Sequence, residues 1–225
     1  MRIPYRVDIA GTWGDHPLIN ALYPQDVICA SIQGKFKKGM GLSGSTRETI
    51  KKYPNKSIRE LFELENKDKP FMSGSQDMIG IKLPGLKKLR YKESYWPTIK
   101  RTLNRDILDW LEKVCWLVPT IKRPKDLNVL GRLDLTRKKA KQYAKSTKRV
   151  WKAILKKDIN KFGEELTENH YLLMSMIPRR RLKCPDKIIT KTTPLGFKLC
   201  GAGGGGYLLI VNDKPVKNGV KFKIT

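Results

Sequence analysis

A chain of 225 residues with 40% hydrophobic content can bury a sizeable core, as one large domain or two small ones sharing an interface. Its 47 Lys+Arg against 21 Asp+Glu leave a net charge of +26. No zinc-finger, RNP or basic-zipper pattern accompanies that charge, and the lysines are spread along the chain; they read as decoration of solvated faces, with nucleic-acid binding only weak and nonspecific. No apolar run reaches the roughly 18 residues of a membrane span, and the start lacks the order of a signal peptide, so a cytoplasmic protein with no membrane partner is expected. Cys29, Cys115, Cys184 and Cys200 form no CxxC pair and the chain has two histidines, which argues against a zinc site or disulfide framework.

Residues 3–10 alternate apolar and polar as a half-buried strand does, which puts Arg6 and Asp8 on one face. Gly11-Thr12-Trp13-Gly14-Asp15-His16-Pro17 then turns the chain. Trp13 can offer a flat face to a sugar ring and Asp15 a carboxylate to its hydroxyls, although such a turn also forms without a ligand. Residues 27–32 read as a second strand. The stretch Gly39-Met40-Gly41-Leu42-Ser43-Gly44-Ser45-Thr46 follows and leads into a helical pattern reaching about Asn66. Glycines there permit a tight turn and close approach, and the helix start exposes unpaired N–H groups that attract phosphate. An ordinary turn capped by Ser45 or Thr46 is the alternative. The pattern is neither a Walker loop nor a dinucleotide fingerprint.

The helix should break near Tyr53-Pro54 and restart at Ser57, an acceptable N-cap. Asp77, after the small-residue turn Ser73-Gly74-Ser75, is a general base or the cap of a short helix. Residues 85–91 and 95–101 read as a strand pair, 105–114 as a helix and 115–120 as a strand. From Leu135 two apolar stripes at helical spacing run to Ile177, before Pro178, and His170 on the second is expected to be packed core. Lys138, Lys141, Lys145, Lys148 and Lys152 stud the polar side of the first helix, and Arg179-Arg180-Arg181 form the densest basic cluster. Strands at 195–200 and 207–211 frame the glycine run 201–206, whose entropic cost implies that something needs the missing side chains. A last strand is expected at 220–224.

Three of these stretches, in this order, resemble the GHMP kinases, small-molecule kinases that include galactokinase and mevalonate kinase. Residues 6–15 resemble their first motif in its fucokinase and heptose-phosphate kinase form. Gly41-Leu42-Ser43-Gly44-Ser45-Thr46 resembles the second, and Lys198-Leu199-Cys200 with the glycines to Tyr207 resembles the third. Gln76-Asp77 and Glu65 match further positions of the sugar-kinase branch. Gly41 follows Asp15 by only 26 positions, fewer than in the family, and Gly44 stands where serine is usual.

The resemblance implies an α+β fold in two linked parts, an N-terminal sheet and helix unit at 1–104 and a C-terminal ferredoxin-like unit at 105–225. It implies an ATP- and Mg²⁺-dependent kinase for a sugar or sugar phosphate, fucose-like or heptose-phosphate-like. Gly39, Gly41, Leu42, Ser43, Gly44, Ser45 and Thr46 would hold ATP phosphates, and Ser45 with Glu65 the metal. Asp77 would act on the acceptor hydroxyl near Arg6, and Trp13, Asp15, Gly201, Ala202, Gly203 and Gly204 would line the substrate. A catalytically reduced family member that binds a polyanion through its lysines is the rival expectation.

Overall fold

The computed structural model describes residues 3–37, 39–69, 72–122, 133–177, 186–201 and 204–225. Strand β1 (Tyr5–Ala10) runs antiparallel to β2 (Gln25–Gln33), β2 to β3 (Leu86–Tyr91) and β3 to β4 (Thr98–Thr102). The two-residue β8 (Lys223–Ile224) joins this sheet beside Ile32 and Gln33 of β2. A second antiparallel sheet has the order β5 (Cys115–Pro119), β7 (Tyr207–Val211), β6 (Gly196–Leu199).

Helices α1 (Pro17–Asn20), α2 (Gly44–Lys52), α3 (Ile58–Asn66) and α4 (Gln76–Lys82) precede β3. After β4 come α5 (Arg105–Val114), α6 (Arg137–Lys156), α7 (Ile159–Met176) and the short exposed α8 (Asp186–Thr192). The expected break falls between α2 and α3: Ser57 caps α3 in a reciprocal pair with Glu60, satisfying two backbone donors at once. Asn104 caps α5, which starts and stops where its apolar periodicity does. The second strand of the 85–101 pair starts later than its pattern indicates, at Thr98, because residues 92–97 form the connection. Of residues 220–224 only Lys223 and Ile224 form a strand, while Val220 makes a single bridge to Leu117 of β5.

Because β2 alternates, it buries both faces of the first sheet. Val27 and Cys29 pack with Ile79 of α4, Leu89 and Tyr91. Ile28, Ala30 and Ile32 point the other way, into the largest core, with Leu108 of α5, Val150 and Ile154 of α6, Phe162 of α7, Tyr207 of β7 and Ile224 of β8. That core draws on residues from both sides of position 104. Burying an aliphatic or aromatic side chain of this kind contributes about 1.5–3 kcal/mol, so each half relies on the other for its interior. α2, α3 and α4 thus cover one face, and α5, α6 and α7 lie against the other. Burial raises the thiols of Cys29, Cys115 and Cys200, to about 11, 12 and 12, so all three stay protonated; Cys184 lies outside the described residues. Among the described residues no helix is long and apolar enough to cross a membrane.

Candidate active site

Two left-handed residues shape the loop that precedes α2. Leu42 (φ 59°) and Ser43 (φ 64°) follow Gly41 (φ 88°), a run of positive φ that non-glycine residues adopt at a cost of about 1–3 kcal/mol each. Such strain persists where the surroundings impose it. Here Arg6, buried on β1, donates from Nε to Ser43 Oγ at 3.0 Å. Ser43 therefore spends its hydroxyl on Arg6 and makes no side-chain cap to α2, leaving the first-turn N–H groups of that nine-residue helix without one. A Cβ added at Gly41 or Gly44 would meet nothing within 4 Å, so the loop offers bare backbone to open space.

The same guanidinium reaches Asp77 in the first turn of α4 through an Nη2–Oδ1 ion pair, and lies 3.8 Å from Asp8 and 3.4 Å from Gln76 Oε1. Burial alone would lower the pKa of Arg6; the carboxylates of Asp77 and Asp8 outweigh it, and the guanidinium is held charged. Gly80 makes room for it, since a Cβ there would fall 2.5 Å from Arg6 Cγ. Asp8 in turn accepts from Lys198 Nζ at 3.2 Å and from the Thr12 hydroxyl. Arg6 and Lys198 thus bring positive charge to the junction of the first and third glycine-bearing segments.

On the far side of the loop, Glu65 of α3 gathers the two hydroxyls that open α2. Ser45 Oγ donates to Glu65 Oε1 at 3.2 Å and Thr46 Oγ1 at 2.9 Å, with Lys69 Nζ 3.5 Å from the same oxygen. The third segment touches the loop at Gly206. Gly206 (φ 101°) packs so tightly that a Cβ would come within 2.8 Å of the Met40 carbonyl oxygen. Its N–H donates to Ile121 O and its carbonyl accepts from Thr120 N–H, both at 2.8 Å, so it is fixed to the end of β5. Lys122, next in sequence, lays its Cε 3.5 Å from where a Gly39 Cβ would be. Gly201 (φ 64°) and Gly204 (φ 74°) also hold left-handed backbone; Ala202, Gly203, Pro178 and the cluster Arg179-Arg180-Arg181 lie outside the described residues.

Arg6, Ser43, Ser45, Thr46, Glu65 and Asp77 are therefore brought together, with Gly206 packed against the loop beside them. Trp13 and Asp15 are placed differently from the expectation. Trp13 (φ 67°) packs partly buried against Tyr143 of α6 and Leu173 of α7, and its indole N–H is buried with no acceptor among the described residues. Asp15 is 3% exposed, and both its oxygens accept from Gln76: Oδ1 from Nε2 at 2.9 Å and Oδ2 from the backbone N–H at 3.3 Å. Burial, then the charge of Asp77, pushes the Asp15 carboxyl up to about 7, partly offset by the Gln76 N–H and by Arg6. Asp77 is not the helix cap, a position held by Ser75. His170 is fully buried against Phe197, and burial, reinforced by Lys198, lowers its pKa to about 4.

Sequence reasoning gave no role to Lys198, Gln76 or Lys122. Only the shared face of Arg6 and Asp8 hinted at a buried ion network, because the partners lie 37 to 190 positions away.

A scan against protein-family models finds no match, and neither does a search of the curated proteins. Solved structures do match. The D-glycero-D-manno-heptose 1-phosphate kinase from Bacteroides thetaiotaomicron superposes with a TM-score of 0.68 at 15% identity, over 99% of this chain and 94% of the other. Mevalonate kinase from Methanococcus jannaschii gives 0.60 at 15% identity, covering 99% and 97%. Galactokinase from Lactococcus lactis gives 0.58 at 13%, covering 99% and 91%. The motif order, the two antiparallel sheets and these full-length superpositions make the chain a GHMP kinase-like protein in its fold.

Proposed function

We propose that this chain is an ATP- and Mg²⁺-dependent small-molecule kinase whose acceptor is a hydroxyl of a sugar or sugar phosphate, of fucose-like or heptose-phosphate-like kind. One observation carries the reading: a single buried guanidinium, Arg6, holds both the loop before the open N-terminus of α2 and the carboxylate of Asp77. Phosphoryl transfer needs that pairing of a phosphate seat with a carboxylate aimed at the incoming hydroxyl.

The α2 N–H groups and bare backbone at Gly41 and Gly44 would seat the donor phosphates. Asp77, paired with Arg6, would orient the acceptor hydroxyl and accept its proton at Oδ as that oxygen bonds to the transferred phosphorus and the donor's leaving phosphate oxygen parts from it. Arg6 keeps that carboxylate in place and adds positive charge near the transferring group. Mg²⁺ favours oxygen ligands and usually takes one or two carboxylates plus substrate phosphates. Glu65 with the hydroxyls of Ser45 and Thr46 is a donor set of that kind, and these residues would hold the ion. When bound, it neutralises charge across the phosphate oxygens. Gly204, Gly205 and Gly206, lacking side chains, would border the seat without colliding with the ligand.

A thermal-shift screen with ATP and Mg²⁺ against a sugar panel, followed by coupled turnover assays on the stabilising sugars, tests the reading. Ligand at a hundred times its Kd should add about 2.7 kcal/mol to stability. Asp77→Asn should lower kcat on the order of 10²-fold with the fold intact, and Glu65→Ala should weaken nucleotide binding only when Mg²⁺ is present. Wild-type turnover in Asp77→Asn would reject the assignment.

A further inference from the structure

Asp15 touches none of the groups given a chemical step above, yet its placement ties it to Asp77. It sits in the turn after β1 with its carboxylate turned inward onto Gln76, the first residue of α4 and the immediate neighbour of Asp77. Gly74 is required by this arrangement, since a Cβ there would overlap the Asp15 carboxylate. The turn is itself anchored from the opposite side of the sheet. The Gly11 N–H donates to Asn169 Oδ1 of α7 at 3.3 Å, and Tyr143 Oη of α6 donates to the Thr12 carbonyl at 3.0 Å. Asn169 is in turn fixed by donating to Ser146 and Thr147 of α6.

Resting on the kinase reading, the geometry points to Asp15 as a positioning residue for Asp77: it pins the first turn of α4 through Gln76 and so sets where the Asp77 carboxylate meets Arg6 and the acceptor hydroxyl. The α6–α7 pair thereby reaches the site through the Asn169–Gly11 hydrogen bond, the covalent backbone of the turn, and the Asp15–Gln76 hydrogen bonds.

The groups facing Asp15 are Arg6 from β1, Asp77 from α4, Tyr91 from β3, Tyr95 from the β3–β4 connection and Tyr143 from α6. Of these, burial raises all three tyrosines, so none changes charge near neutrality. Asp15 itself is held up at about 7. Its ionised form binds the two Gln76 donors more strongly, because a charged acceptor makes the shorter, stronger bond. The link therefore tightens as pH rises through neutrality. The phosphate loop is fastened by the Arg6–Ser43 bond, in which Asp15 takes no direct part, so donor affinity should follow less steeply than turnover.

The test compares wild type with Asp15→Asn between about pH 5 and 9, with two readouts. The first is kcat and the KM for ATP. Wild-type kcat should rise through about pH 7, while the variant is flat and about tenfold slower above that point, with a smaller change in KM for ATP; misplacing a reacting group lowers turnover in this way. The second needs no substrate: the backbone amide resonances of Gln76 and Asp77 and the side-chain amide of Gln76 should titrate with a midpoint near 7 in wild type and not in the variant. The same kcat limb in both proteins, or Gln76 resonances that do not move in wild type, overturns the proposal. If wild type phosphorylates no sugar, the functional reading fails on its own, and the Gln76 titration still decides the role of Asp15. Should Asp15→Asn not fold, the wild-type titration alone decides it.

Discussion

Arg6 is the side chain whose loss should be felt in the most places. It is 4% exposed and serves Ser43, Gln76, Asp77 and Asp8 with one guanidinium. Arg6→Met keeps most of the buried stem but leaves Asp8, whose Oδ1 already lacks a hydrogen-bond partner among the described residues, dependent on Lys198 and Thr12. Breaking one side of a buried ion pair costs about 3–5 kcal/mol. Asp77 is 29% exposed and water would take over part of its solvation, so the lower end, about 3 kcal/mol, applies. Arg6→Lys keeps the charge, but an ammonium cannot span Ser43 and Asp77 together; one or two hydrogen bonds are lost, about 1–2 kcal/mol. Urea titrations with m-values compared across the three proteins measure both differences. An Arg6→Met protein within about 0.5 kcal/mol of wild type would refute the view that this guanidinium clamps the site.

Gly206→Ala should cost about 2 kcal/mol, from a strained positive φ and a Cβ pressed on the Met40 carbonyl. It should also raise the KM for the donor by displacing the phosphate loop, and unchanged stability and KM would show that this contact yields freely. His170→Gln tests the buried site beside Phe197: the folded pKa near 4 lies below the unfolded value near 6.5, so the unfolded chain binds more protons between them. The stabilisation is present above about pH 6.5 and is lost as pH falls through that window, about 2.5 kcal/mol between pH 7.5 and 4.5. Glutamine can accept from the Leu199 N–H as Nδ1 does but cannot titrate, so the stability gap between the two proteins should narrow by that amount on acidification; a constant gap would contradict it.

What was legible in the sequence was local. The Arg105–Val114 helix, the Ser57 restart and the strands around the glycine run follow from periodicity, capping chemistry and the punctuation of glycine and proline, all of which act within a few residues. Helix α1 is not legible in the sequence, where only its Pro17 falls in the turn read there, because its four residues are too few for periodicity, although Pro17 at its start and the His16 cap are a helix-opening signature. The motif residues 41–46, 65 and 77 were legible as a set only through their resemblance to a family. What was not legible depends on partners far along the chain. Nothing within ten positions of Asp15 indicates that Gln76 will turn its carboxylate inward, or that Lys198 will be buried against Asp8. Trp13 looked like a platform because its sequence neighbours are turn-formers, and the side chains it packs on belong to α6 and α7.

Strand β8 has a consequence for how this protein is made. Beyond the pairing of Ile32 with Ile224, the Thr225 N–H donates to the Ser31 carbonyl at 3.0 Å, and its hydroxyl donates to Ser31 Oγ, 194 positions away, at 2.7 Å. At a translation rate of about 5–20 residues per second, β2 emerges from the ribosome and waits roughly 10–40 s for the segment that completes its sheet. During that interval Ile28, Ala30 and Ile32 also lack α6, α7 and β7, the elements that bury them. The half of the chain synthesised first is therefore the half that must be kept from aggregating longest, and its final closure is a long-range, entropically slow step. Nascent chains stalled before residue 220 should expose the β2 face to proteases and holdase chaperones, whereas chains in which residue 225 has also emerged should not.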